Sequence, residues 1–286
     1  MSPSRKNLIA LLTDFGPRGQ HYVASMKGTI LSINLDCRIL DISHNLTSYS
    51  IIEGAYLLST TYQYFPRGTI FVVVVDPGVG STREIVALKT KSEFYFVGPD
   101  NGVFTPILEG EELEKCIRVE NVKYFKEPIS NTFHGRDIMA PVGAHLSKGV
   151  SLAKFGPAVA PKDLTTHSLT LEIKSETKEI TCCVQFVDSF GNITTNVALD
   201  SSYSFGDFTH IRGTNILLKE GSSVEMIKDN QEYSAPIVSH FAEASKGTLV
   251  ALRGSNNFLE FSLNQGNAAE YLGLTVGDVF NIQLSE

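Results

Sequence analysis

Apolar positions along the chain fall into two textures. Through the first half, short β-branched runs alternate with longer stretches of helical period, at residues 8–12, 22–35, 39–42, 51–64 and 69–75. That is the rhythm of βαβ units. The run Ile70-Phe71-Val72-Val73-Val74-Val75 is apolar at every position rather than every second one, which predicts a central strand covered on both faces by helices. Further strands at 85–88 and 94–97, and a helix at 137–146, complete a mostly parallel α/β sheet.

The segment GPAVAPKDL at 156–164 has two prolines, a glycine and little periodicity, and is expected to be an interdomain linker. Domains are therefore expected at 1–160 and 161–286. Beyond about residue 168 the apolar segments are short (180–187, 216–218, 249–252, 258–263) and separated by Gly, Asn and Ser turns. The fold class expected is α/β, an N-terminal mostly parallel sheet domain followed by a small β-rich barrel or sandwich.

At 286 residues with 42% hydrophobic content, the chain can bury two cores. Its 24 basic and 31 acidic residues leave a net charge of −7 without a Lys/Arg cluster, so nucleic acid is not an expected partner. The opening MSPSRKNLIALLTDFG has an apolar run of five residues, too short for a signal core or a membrane span. No membrane association is expected. Four cysteines without C-x-x-C spacing read as reduced core residues, which agrees with a cytoplasmic location.

In open α/β sheets ligands lie beyond the carboxyl ends of the strands. Three predicted strands end there in acidic motifs: TDFG after 8–12, DPGVGSTR after 70–75 and GPDNG after 94–97. Asp14 suits a ribose diol, because a carboxylate accepts two parallel hydrogen bonds; it equally suits a helix cap near Gly19. Asp76 lies in a turn-forming Asp-Pro-Gly, and His134 sits in NTFHGRD just before a helix. No G-x-G-x-x-G, P-loop, G-x-S-x-G elbow or paired metal-ligand motif is present, so no triphosphate site, serine nucleophile or metal is implied.

Taken in order, TDFG (13–16), ISHN (42–45), VVDPGVGSTR (74–83), GPDNG (98–102), TFHGRD (132–137), VDSFGN (187–192) and NQGNAA (264–269) resemble the SAM hydroxide adenosyltransferases, hydrolases of S-adenosylmethionine (SAM) related to fluorinase and chlorinase. The resemblance implies an α/β domain joined to a β-barrel, in a homotrimer whose sites lie between subunits. It places the catalytic set on Asp76, Arg83 and His134. Halogenating relatives carry tyrosine at the position of Asp76, and Val79 replaces their halide-side hydroxyl. The implied substrate contacts are Asp14 with the ribose, Tyr49 as a bordering aromatic residue, Asn101 of GPDNG, Asp188 with the methionine ammonium and Ser255 with its carboxylate. For adenine they are Phe190, Asn192, Asn267, Ala268 and the stacking candidate Phe241. After Ser255 this chain has Asn256-Asn257 where the family is small or glycine-containing.

The activity implied is in-line attack of water or hydroxide on ribose C5′, releasing adenosine and methionine, with SAM as substrate and no cofactor. Whether a side chain takes the proton or Arg83 stabilises a hydroxide stays open. The alternatives are a SAM-dependent halogenase and a non-catalytic SAM or adenosine sensor.

Overall fold

The computed structural model describes residues 8–200 and 208–284. The basic stretch before Leu8 lies outside them. The chain forms two compact units, one ending at His167 and one beginning at Ser168.

The first unit runs β1 (Leu8–Thr13), α1 (Gln20–Ile33), β2 (Arg38–Ser43), α2 (Ile51–Thr61), β3 (Ile70–Val74), β4 (Ile85–Thr90), β5 (Tyr95–Pro99), α3 (Thr105–Gly110), β6 (Leu113–Arg118), a π-helical turn (Gly135–Met139) and α4 (Ala140–Ser147). Its sheet has the order β2-β1-β3-β5-β4-β6. The first four strands are parallel, and β4 pairs antiparallel with both β5 and β6. Because β3 pairs on the opposite side of β1 from β2, the strand order reverses at β1, and a crevice opens beyond the adjacent ends of β1 and β3.

Alternate residues of the central strands feed two cores. Ile9, Leu11, Ile70 and Val72 pack with Met26 and Ile30 of α1 and Val142 of α4. Ala10, Leu12, Phe71 and Val73 pack with Leu58 of α2 and Ile107 of α3. Both faces of β3 are thus buried, which accounts for its unbroken apolar run.

The proline-bearing segment at 156–164 is not a free linker. Arg118 N–H donates to Pro157 O at 2.9 Å and Val159 N–H donates to Cys116 O at 3.0 Å, so the segment lies along the sheet edge at β6. Leu164 is buried in the core beneath α2 and α3. Proline tolerates this place because an edge can do without its missing N–H. Residues 165–167 continue on the first unit, where Thr165 N–H donates to Asp100 and His167 N–H to Thr105.

The second unit contains β7 (Glu172–Lys174), β8 (Glu179–Val187), β9 (Ile193–Ala198), β10 (Phe208–His210), β11 (Leu217–Lys219), β12 (Ser223–Lys228), β13 (Gln231–Pro236), β14 (Leu249–Arg253), β15 (Phe258–Leu263), α5 (Ala268–Leu272) and β16 (Val279–Leu284). Its main sheet is antiparallel in the order β13-β12-β16-β8-β9-β15-β14 with β7 on β8, while β10 and β11 form a separate ribbon. A bridge between Ile237 and Ala251 brings the β13 end to β14, so the sheet nearly closes into a barrel. Ile180, Cys182, Val184, Met226, Phe261 and Phe280 fill it at alternate positions. Asp229 and Asn230 turn the β12–β13 hairpin with φ of +51° and +63°, as a two-residue type I′ turn requires. All four cysteines are buried free thiols, and among the described residues no helix is long and apolar enough to cross a membrane.

Candidate active site at the ends of β1 and β3

A cleft of about 270 Å³ opens beyond β1 and β3, lined by Asp14, Phe15, Tyr22, Ser48, Tyr49, Val74, Asp76, Val79, Thr132, Phe133, His134 and Gly135. It lies where the strand order reverses, as expected for this sheet type.

Asp76 follows β3. Its turn is closed by Val79 N–H donating to Asp76 O at 3.2 Å, so the Asp-Pro-Gly motif does form a turn. The loop then brings Arg83 back over the aspartate. Arg83 Nε donates to Asp76 Oδ1 at 2.8 Å and Nη2 donates to Oδ2, a two-pronged ion pair whose side chains are only 11% and 5% exposed. Gly80 makes the loop possible. Its φ is +78°, and a Cβ there would stand 2.4 Å from the carbonyl oxygen of Asn131.

His134 reaches the same pair from 51 residues further along the chain. Arg83 Nη2 lies 2.8 Å from His134 Nδ1. A guanidinium only donates, so Nδ1 is the acceptor and the imidazole is neutral with its proton on Nε2. Burial and the neighbouring Arg83 charge both lower the pKa of His134, which favours that neutral form. The close fit depends on Gly135, where a Cβ would meet Val74 Cγ1 at 2.9 Å. Asp137, fully buried in the π-helical turn, anchors the approach by accepting from Ser130 N–H at 2.9 Å and from Arg136 Nε at 2.7 Å.

Asp14 follows β1 and caps no helix: the N-cap of α1 is Gly19, with no side-chain cap. Its Oδ2 instead accepts from Tyr49 N–H at 2.8 Å, with Tyr49 held at φ +69°. Burial raises the Asp14 pKa, partly offset by that hydrogen bond, and the Asp76 charge adds to the rise. Tyr49 is 73% exposed and borders the cleft, so it is not a core packing residue. Ser50 caps α2 by accepting from Glu53 N–H, while Glu53 accepts from Thr47 N–H at 2.9 Å, which fixes the loop that carries Ser48 and Tyr49.

Asp100 and Asn101 do not join this cleft. Asp100 accepts from Thr165 N–H at 2.9 Å; Asn101 donates to Val75 O at 2.9 Å and accepts from Val103 N–H at 3.2 Å. Asn101 thereby braces the residue before Asp76. Conversely, the cleft holds residues that sequence reasoning did not single out. Phe15, Tyr22 and Phe133 form an aromatic cluster with ring centroids 5.1 to 5.8 Å apart, and Ser48 and Thr132 add hydroxyls. For Phe15, Thr132 and Phe133 the available signal was their place within TDFG and TFHGRD; Tyr22 in α1 and Ser48 in the loop after ISHN lie outside those motifs.

The other expected contacts are in the second unit. Asp188 is bound within its own turn, its Oδ1 accepting from Phe190 N–H at 2.8 Å and Asn192 N–H at 2.9 Å and its Oδ2 from Asn192 Nδ2 at 2.8 Å. The turn projects Phe190, which is 75% exposed. Asn267 caps α5 through Glu270 N–H, and the Ala268 side chain is buried in the barrel core, leaving its backbone as the group available to a ligand. Ser255 is exposed in the β14–β15 turn, and Phe241 is exposed in a short 3-10 turn. Among the described residues, no group of three or more His, Cys, Asp or Glu is placed to hold a metal ion.

Comparison with known proteins gives a consistent picture. The chain is 35% identical to the (R)-S-adenosyl-L-methionine hydrolase of Methanocaldococcus jannaschii over 282 residues, 96% of this chain and 95% of that protein. It is 24% identical to a fluorinase of Actinopolyspora mzabensis, over 94% of this chain and 95% of that one. A crystal structure of a conserved protein from Thermotoga maritima matches it with a TM-score of 0.82 at 32% identity, covering 96% of this chain and 99% of that chain. Residues 9–156 match the N-terminal domain of the SAM hydroxide adenosyltransferases and residues 182–281 match their C-terminal domain, so the chain belongs to that family.

Proposed function

We propose that the protein hydrolyses SAM to adenosine and L-methionine, with the cleft at β1 and β3 as the site of attack. The observation that carries this reading is that Asp76 and His134, joined through Arg83, line one cleft with Asp14. Asp14 is assigned to the ribose hydroxyls, with Tyr49, Phe15 and Phe133 against the sugar.

Water attacks C5′, the C5′–S bond breaks, and its electron pair goes to sulfur, which leaves as the neutral thioether of methionine. The leaving group needs no proton. The work of the site is to align the nucleophile and strip its solvent, an effect of up to roughly 7–11 kcal/mol. His134 is a poor candidate for the base, because Nδ1 is occupied by Arg83 and Nε2 bears hydrogen; its Nε2–H is a donor that can orient the water. Each Asp76 oxygen retains a lone pair beyond its bond to Arg83. As the C5′–O bond forms the attacking oxygen becomes strongly acidic, so even an ion-paired carboxylate suffices to take its proton and release it to solvent.

The name of the Methanocaldococcus relative specifies the (R) form. Since L already fixes the amino-acid carbon, (R) refers to the sulfonium, and we extend that preference to this chain. Asp188, Phe190, Asn192, Phe241, Ser255, Asn267 and Ala268 are proposed to hold the methionine end and adenine. Completion of the site in a homotrimer of a cytoplasmic enzyme, with no cofactor, belongs to the same proposal. The family resemblance supports it.

The test is incubation of the purified protein with each sulfonium epimer, with and without chloride, followed by chromatography. Equimolar adenosine and methionine, formed faster from the (R) epimer, are expected. 5′-Chloro-5′-deoxyadenosine would replace this reading with halogenation, and binding without turnover would replace it with a sensor.

A further inference from the structure

The ISHN motif has no part in the chemistry above, yet its histidine is tied to the cleft on three sides. His44 is 8% exposed, and its Nδ1 lies 2.9 Å from the hydroxyl of fully buried Thr13. Its backbone carbonyl accepts from Gly16 N–H at 2.7 Å. One residue therefore grips the chain on both sides of Asp14 and Phe15. Its Nε2 approaches Asp41 Oδ1 at 3.0 Å without hydrogen-bond alignment, and Asp41 is paired with Lys27 at 2.6 Å. His44 also begins the loop whose Tyr49 N–H holds the Asp14 carboxylate.

We propose that His44 is a positioning residue which, through Thr13 and Gly16, fixes the turn after β1 so that the Asp14 carboxylate faces the substrate. A buried Thr–His contact next to a functional carboxylate costs little to keep only if both polar groups stay paired. The pairing therefore sets the strand end in one position. The proposal rests on the assignment of Asp14 to substrate binding.

The experiment compares kcat and KM for SAM in Thr13→Val, Thr13→Ser, His44→Gln and His44→Asn, each also made with Asp14→Asn. Asparagine presents a polar atom where Nδ1 was, whereas glutamine reaches toward the Nε2 side. Thr13→Val and His44→Gln are expected to lower kcat/KM about tenfold, chiefly through KM, with Thr13→Ser and His44→Asn within about threefold of the parent. On the Asp14→Asn background, Thr13→Val should change kcat/KM by less than about twofold, because the group being positioned is already gone. Should the two losses multiply in full, His44 and Thr13 serve stability alone and the proposal is overturned. If His44→Gln fails to fold, the Thr13 pair decides the question by itself. A parallel assay with 2′-deoxyribose SAM separates the underlying assignment: an Asp14→Asn loss equal on both substrates removes the ribose role, while the Thr13–Asp14 coupling still decides positioning.

Discussion

Replacing Arg83 by Lys retains the charge and removes the fork, which isolates what the geometry of the trio contributes. In the native cleft one guanidinium makes three contacts, two to the Asp76 oxygens and one to His134 Nδ1. An ammonium on a single stem can keep one of them in comparable alignment. The remaining two are hydrogen bonds of a charged donor, each contributing about 1.5–3 kcal/mol. The pair is nearly buried, with side chains 11% and 5% exposed, so solvent screening gives little relief. A loss of at least ~3 kcal/mol follows, about two orders of magnitude in rate when expressed in the transition state. Since the trio acts on the nucleophile and not on the bulk of SAM, kcat should fall while KM changes by less than about threefold. Adenosine release, measured with a melting curve to verify folding, gives the answer. A folded Arg83→Lys enzyme within about threefold of parental kcat would show that charge alone suffices and that the guanidinium fork has no catalytic part.

Three further outcomes follow from the same geometry. Protonated His134 cannot accept from Arg83, and its folded pKa is below the usual 6.5. Its contribution to stability and turnover is thus complete above pH 6.5 and lost as pH falls through the lowered value, a limb that pH–rate and pH–melting profiles should share. Gly80→Ala forces a Cβ against the Asn131 carbonyl at positive φ and should cost roughly 1–3 kcal/mol in stability together with most of the turnover; an unchanged melting temperature would contradict the tight loop packing. Burial pushes the Cys116 thiol up to about 12 and raises Cys37, Cys182 and Cys183. All four should resist a thiol reagent in the native protein and react in denaturant; a fast-reacting native thiol would contradict their burial.

Much of the first unit was legible because periodicity reports burial directly. The unbroken run of β3 predicted a strand covered on both faces, and the alternation with helices predicted the parallel pairing that puts Asp14 beside Asp76. Strand β6, Leu113–Arg118, was missed because only Cys116 and Ile117 of its residues are buried and it reads as charged surface. The segment at 156–164 misled for a related reason: prolines that resemble a linker also suit the edge of a sheet. Three acidic strand ends looked equivalent in sequence, but Asp100 follows β5, one strand beyond β3, and its carboxylate is taken by Thr165. Arg83 and His134 could not be joined by spacing, since their contact spans 51 residues and depends on two glycines that admit close backbone approach. That set was visible only through the family motifs, whereas Asp14 was marked by its place at the end of a parallel strand.

The most direct test of water attack at C5′ is turnover of SAM in H₂¹⁸O with mass analysis of both products. Water attack at C5′ places one ¹⁸O atom in the 5′-hydroxyl of adenosine and none in methionine. Adenosine without label, or a halogenated nucleoside in its place, would contradict it.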